Sequence, residues 1–166
     1  MIKIGLGKAL GFSLLAFIGL NFLFVIIAET VGGGLEPLFS AISSDPLSII
    51  SIFFGPISVM PGTVITVLYT SIALGMTDVA VLIQIIGYLV SPFVAALVAG
   101  RTGGGKGGSF GGWMLAALIG AAALAVLAFI EITDPILSII GIMLSGAVNG
   151  VFYGCFALLF TKTEMY

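Results

Sequence analysis

The chain has few charges, no histidine and a single cysteine. Of its 166 residues, five are Lys or Arg and seven are Asp or Glu, so 7% are charged, against roughly 25% in an ordinary soluble domain. So few charges cannot solvate a soluble globule of this length, and disorder requires low hydrophobicity with high charge. The basic residues form no basic face, which argues against nucleic-acid binding. The composition predicts an integral membrane protein.

The missing residue types also exclude several kinds of chemistry. Without histidine, and with Cys155 alone, the chain has no Cys/His zinc site, no His-ligated haem, no internal disulfide and no catalytic histidine. Residues 100–106 match the G-x-x-x-x-G-K part of a phosphate-binding loop, but Gly107 stands where that motif needs Ser or Thr. We therefore expect no metal, no cofactor, no nucleotide and no enzymatic activity.

The chain instead contains long apolar runs without any charged residue. A membrane-spanning helix needs about 20 mostly apolar residues, and four runs are long enough for one crossing each. The predicted spans are 9–29, 79–100, 109–131 and 136–160. The first run is longer than the roughly 7–15 apolar residues of a signal peptide, so we expect it to be retained. All 166 residues are expected to form a single multi-pass domain.

The charges divide between opposite ends of these runs. All five basic residues fall at one set of ends: Lys3, Lys8, Arg101, Lys106 and Lys162. Six of the seven acids fall at the other: Glu29, Glu36, Asp45, Asp78, Glu131 and Asp134, with Glu164 the exception. The positive-inside rule then predicts a cell-membrane protein with both termini in the cytoplasm.

The segment between the first two spans must begin and end outside for this topology to hold. Its apolar run is interrupted by Gly55-Pro56 and Pro61-Gly62. One solution is a re-entrant or broken helical hairpin over about 46–75, whose first helix takes Asp45-Pro46 as N-cap and first residue. The other is two full crossings, which gives six transmembrane helices. We favour the hairpin because extending its first helix would bring Asp45 into the membrane, at about 2.5–3.5 kcal/mol for a central Asp.

Three shorter features complete the predicted architecture. Residues 35–44 carry apolar side chains at helical spacing, which predicts a short helix lying in the outer interface. Asp78 is the expected N-cap of the second span. The stretch 100–112 has eight Gly in thirteen residues, a composition that predicts a mobile cytoplasmic loop.

The last span carries two rows of small or polar residues, which we predict to be a helix-packing interface. Its members are Gly141, Ser145, Gly146, Asn149, Gly150 and Gly154. Small residues promote helix association in lipid because they let backbones approach closely. The receiving surface is either the alanine row of the third span or another chain. Asn149 lies near mid-span, where an unpaired amide is costly, so it must face a partner.

A second set of polar residues recurs at helical spacing and is the candidate for a polar path across the membrane. Its members are Asn21, Glu29, Thr63, Thr66, Thr70, Gln84, Tyr88, Ser91 and Glu131. The alternative is that the two carboxylates mark solvated helix ends and that the hydroxyls bond to carbonyls one turn back.

These features favour a non-catalytic membrane subunit that packs through small-residue helix faces into a larger or homo-oligomeric complex. Its expected partners are the lipid bilayer and other membrane subunits or copies of itself. The alternative is a small channel or carrier for an ion or small solute that uses the broken hairpin and the outer carboxylates, since transporters often place sites at discontinuous helices.

Overall fold

The computed structural model describes residues 2–75 and 78–162, and every regular element in these ranges is a helix. In chain order they are α1 (Ile2–Gly32), α2 (Glu36–Ser44), α3 (Ser48–Phe54), a 3-10 helix (Gly55–Ser58), α4 (Pro61–Ala73), α5 (Val79–Thr102), α6 (Lys106–Glu131) and α7 (Ile136–Leu159). Four of them, α1, α5, α6 and α7, are long and apolar enough to cross a membrane. The all-helical fold of the described residues, with four such helices, confirms this part of the predicted fold class and is compatible with a multi-pass membrane protein.

The four long helices form a bundle in which α1 packs against α5 and α6, and α7 packs against the same two helices. Its centre is aromatic, because Trp113 makes edge-to-face contacts with Phe17 and Tyr153 at centroid distances of 6.0 and 6.2 Å. Many large apolar side chains point outward instead, among them Leu15, 70% exposed, and Leu137, 80% exposed. Such a surface suits helices that meet lipid rather than water.

The predicted separation of charge is present in the bundle. One end holds the basic side chains that the structure describes: Lys8, Arg101, Lys106 and Lys162. The elements at the other end hold Glu29, Glu36, Asp45, Asp78, Glu131 and Asp134. Glu164, the predicted exception, lies outside the described residues. At the acidic end Asp78 caps α5 as predicted, because its Oδ1 accepts from the amides of Ala80 at 3.0 Å and Val81 at 3.3 Å.

Two helix starts differ from the sequence prediction. α1 begins at Ile2 rather than near residue 9, so it continues through the basic residues that precede its apolar run. α3 begins at Ser48 instead of Pro46, because a tight turn comes first: the Ser48 amide donates to the Asp45 carbonyl at 3.1 Å. The Asp45 side chain caps that turn and accepts from the Leu47 amide at 3.1 Å.

The prediction of a mobile loop over residues 100–112 is wrong. α5 extends to Thr102 and α6 begins at Lys106, which leaves only residues 103–105 as a connection. Gly108 and Gly112 are buried, and a Cβ on Gly112 would collide with the Cβ of Ala9 in α1. The glycines therefore allow α1, α5 and α6 to approach closely at the basic end of the bundle, which is the packing role of small residues between membrane helices.

Candidate functional site

The most unusual feature inside the bundle is the break between α3 and α4. Gly55, Pro56 and Ile57 of the 3-10 helix are buried. Val59 and Met60 then adopt extended backbone angles, with ψ of 130° and 140°, before α4 begins. The α3 and 3-10 segment meets α4 at an angle of 90°.

The break is surrounded by the middle turns of three long helices. A Cβ on Gly120 of α6 would lie 3.3 Å from the Ile57 side chain, and a Cβ on Gly146 of α7 would lie 3.5 Å from it. On α5, the Tyr88 hydroxyl would lie 2.8 Å from a Cβ on Gly55. Glycine at these positions keeps α5, α6 and α7 close to the non-helical backbone in the core of the bundle.

Pro56 and Asn21 act together at the first part of the break. In a continuous helix the Ile52 carbonyl would accept from the amide of residue 56, but proline has no amide hydrogen. The side chain of Asn21 on α1, which is 1% exposed, replaces that donor. Its Nδ2 donates to the carbonyl of Ile52 and lies 3.3 Å from that of Phe53.

Pro61 and Asn149 repeat this arrangement on the other side of the break. The Ile57 carbonyl lacks its helical donor because residue 61 is also proline. Asn149 of α7 supplies one, since its Nδ2 donates to the Ile57 carbonyl at 3.2 Å and to the Val59 carbonyl at 2.9 Å. Asn149 is 1% exposed. Its backbone carbonyl accepts a hydrogen bond from Trp113 Nε1 at 3.2 Å. Two buried amides from opposite sides of the bundle therefore hold one broken segment.

The glycine row of α7 faces α6 of the same chain. A Cβ on Gly146 would collide with the Ala121 Cβ, and one on Gly150 with the Met114 sulfur. A Cβ on Gly154 would lie 2.7 Å from the Phe110 ring. This surface is therefore occupied within the chain.

The second row on α7 has mixed surroundings. Gly141 is exposed, and within the described part of the chain nothing lies within 4 Å of a Cβ built on it. Ser145 is buried, and its carbonyl accepts from Asn149 Nδ2 at 3.0 Å. Of this row, only Asn149 reaches the break.

The threonine row of α4 lies on the exposed side of the helix. The hydroxyls of Thr66 and Thr70 donate to carbonyls one turn back, Gly62 and Thr66, both at 2.9 Å. Thr63 and Thr66 also line an open groove of about 540 Å³ together with Met60, Gly62 and Val148. The groove begins where α4 leaves the break.

The polar row of α5 does not form one continuous surface with the threonines. Gln84 is exposed, Tyr88 is half-buried beside Gly55, and Ser91 is fully buried. The carboxylates lie at the acidic end, where Glu29 is half-buried and Glu131 exposed. Among residues 2–75 and 78–162, no three side chains of the metal-ligating types come together.

Comparison with known proteins gives no match: no family model fits the chain, and no curated protein or solved structure is detectably similar to it.

Sequence reasoning did not identify the pairing of each asparagine with the break. A usable signal was present in the spacing, because each proline of an apolar run orphans the carbonyl four residues earlier. The chain has two asparagines, Asn21 and Asn149, and both lie near the middle of predicted spans. Buried donors of this kind are the natural partners for carbonyls that a proline leaves without one.

Proposed function

We propose that the chain is a multi-pass membrane protein whose segment from α2 to α4 enters and leaves the bilayer on the outer side. Gly32 at the end of α1 lies beside Ala80 at the start of α5, with 3.2 Å from a Cβ on Gly32 to that of Ala80. The intervening segment therefore leaves and rejoins the bundle at one end. α3 has 7 residues and α4 has 13, so at 1.5 Å per residue neither crosses a core of about 30 Å. The basic residues at the opposite end support cytoplasmic termini.

Cysteine accessibility tests this topology. In a Cys155→Ser background, Gly107→Cys and Ile132→Cys should react with a membrane-impermeant maleimide from opposite sides, because they lie at opposite ends of α6. Ser58→Cys, beside the buried break, should react slowly from both sides. Labelling of the first two from the same side would contradict the topology, and rapid labelling of Ser58→Cys from the cytoplasm would establish two full crossings instead.

We propose further that the protein is a non-catalytic membrane subunit that assembles through a glycine row on α1. Gly7, Gly11 and Gly19 are exposed, and in the described ranges nothing lies within 4 Å of a Cβ built on any of them. Gly7 and Gly11 are four residues apart and so are neighbours on one face of the helix. Gly19 lies eight residues further on, beyond Leu15. This observation carries the proposal, because Gly-x-x-x-Gly faces are the surfaces through which membrane helices dimerise. The α7 row cannot serve this role, since α6 already covers it.

Gly11→Leu is expected to weaken self-association or partner binding at least about tenfold, equivalent to 1.4 kcal/mol, because a four-carbon side chain would separate two closely packed backbones. The oligomeric state in detergent is measured by native mass spectrometry and sedimentation, with co-purification from the native membrane. Gly141→Leu is the matched control, since it makes the same change at an exposed glycine on α7. A parent protein that is monomeric without partners, or equal effects of both variants, would refute assembly through α1.

The groove beside the break supports a second candidate, a small channel or carrier. Thr63 and Thr66 line it where the backbone at Val59 and Met60 is extended. Non-helical backbone at membrane depth persists only where protein buries it or where it lines a water-filled cavity. A groove that reaches from this backbone to the surface of the bundle could admit water and a small solute.

Replacing Thr63, Thr66 and Thr70 together by Val is expected to abolish solute flux into liposomes, if this candidate is right, while leaving the fold intact. The change removes three hydroxyls but preserves the branched shape of each side chain. Thr30→Val is the control, because its hydroxyl also bonds one turn back, to Ile26 at 2.7 Å, far from the groove. Unchanged flux in the triple variant, or no flux in the parent, would exclude a channel through this groove.

A further inference from the structure

Several buried polar atoms have no hydrogen-bond partner in the part of the chain that the structure describes. They are Asn21 Oδ1, Ser48 Oγ, Ser91 Oγ and the Tyr153 hydroxyl. An unpaired buried polar group costs about 1–3 kcal/mol, so each needs an explanation. Asn21 and Ser91 are 1% and 0% exposed, and Asn21 contacts the end of α3 where the break begins.

The register of α1 and α5 brings these two residues to the same level. The helices are antiparallel, and a Cβ on Gly87 would lie 2.6 Å from the Cβ of Phe24. One helical turn further along α5 reaches Ser91, on the same face as Gly87. One turn back along α1 from Phe24 reaches Asn21. The two residues therefore lie at the same level of the α1–α5 contact, where Asn21 also contacts the end of α3.

The hydrogen bonds of Asn21 fix the direction of its free oxygen. Its Nδ2 is committed to the carbonyls of Ile52 and Phe53 at the end of α3. The Oδ1 atom must then point away from those carbonyls. It can only accept a hydrogen bond, and the Ser91 hydroxyl, which could donate one, makes no bond to it.

We propose that one water molecule is bound between Asn21 Oδ1 and Ser91 Oγ. Both atoms are buried without a partner, and a water that bridges two such polar groups costs little entropy to hold. A monovalent cation would fit the oxygens but would carry an uncompensated charge, because Glu29, the nearest acid along α1, is eight residues or about 12 Å away. The water connects the end of α3 through Asn21 to α5. This inference holds whether the proposed oligomer or the channel is right.

The water can be detected by NMR through the side chain of Asn21, because the chain has only two asparagines to distinguish. Labelling with ¹⁵N-asparagine gives only two side-chain amide signals, since the chain has no other asparagine. In lipid bilayers, magnetisation transfer from water should reach the Asn21 side chain, and Asn21→Gln identifies its signal. Ser91→Ala should remove most of that transfer and leave the Asn149 signal unchanged.

Ser13→Ala is the matched control, because Ser13 is also fully buried on α1 but its hydroxyl donates to the Leu10 carbonyl at 3.2 Å. It should leave the transfer to Asn21 unchanged. No water transfer to Asn21 in the parent, or equal transfer in parent and Ser91→Ala, would overturn the proposal. A shift of the Asn21 signal on replacing choline with sodium would overturn it in favour of a cation.

Discussion

Asn149→Leu is expected to lower the free energy of unfolding by about 2–4 kcal/mol. The carbonyls of Ile57 and Val59 both accept from the Asn149 amide. Hydrogen bonds between membrane helices are usually worth only about 0.6–2 kcal/mol, because the freed groups find other partners. Here Pro61 removes the backbone donor for Ile57, so that carbonyl has no local alternative. One buried and one partly buried acceptor left unpaired together justify the larger figure.

Unfolding by sodium dodecyl sulfate titration, followed by tryptophan fluorescence, measures this loss, since Trp113 is the only tryptophan and donates to the Asn149 carbonyl. Asn149→Ala should be similarly destabilised, which separates the lost amide from any overpacking by Leu. Ser145→Ala is the control, because it removes a hydroxyl one turn away and keeps the carbonyl that Asn149 contacts. A stability loss for Asn149→Leu no greater than that of Ser145→Ala would contradict the role of the amide.

The parts of the fold that follow from local sequence could be predicted. Long uncharged runs determine the four long helices, and Asp78 caps α5 by bonds to residues two and three positions later. The break was also visible, because two glycine–proline pairs within eight residues, Gly55-Pro56 and Pro61-Gly62, disfavour a continuous helix. In each case the physical cause lies within a few residues of its effect.

The contacts that hold the candidate site could not be predicted in the same way. Asn21 contacts residues 31 and 32 positions away, and Asn149 contacts Ile57 92 positions away. Nothing in the local pattern selects those partners. The prediction of a mobile loop over residues 100–112 failed for a related reason. Composition alone does not distinguish a flexible glycine from one that lets two helices pack closely, and Gly112, which packs against Ala9, belongs to the latter type.

Gly146→Leu is expected to be the most damaging of three Gly→Leu changes on α7, with a loss above about 3 kcal/mol, the upper end for overpacking. A Cβ at this position would collide with the Cβ of Ala121, which has no flexible atoms to move aside. It would also lie 3.5 Å from Ile57 in the buried break. The added side chain would therefore separate α7 from α6 and disturb the break together.

The other two changes form a graded series that tests this cause. In Gly150→Leu the new side chain would collide with the sulfur of Met114, but the flexible methionine can change rotamer. The loss of stability should therefore be smaller than for Gly146→Leu. Gly141→Leu meets no described atom within 4 Å and should be close to neutral. The same detergent titration, with the yield of folded protein as a second measure, ranks the three. Equal stability of Gly146→Leu and Gly141→Leu would contradict close packing of α7 on α6. The expected order would support the contact of Gly146 with α6 and with the break as the cause of the loss.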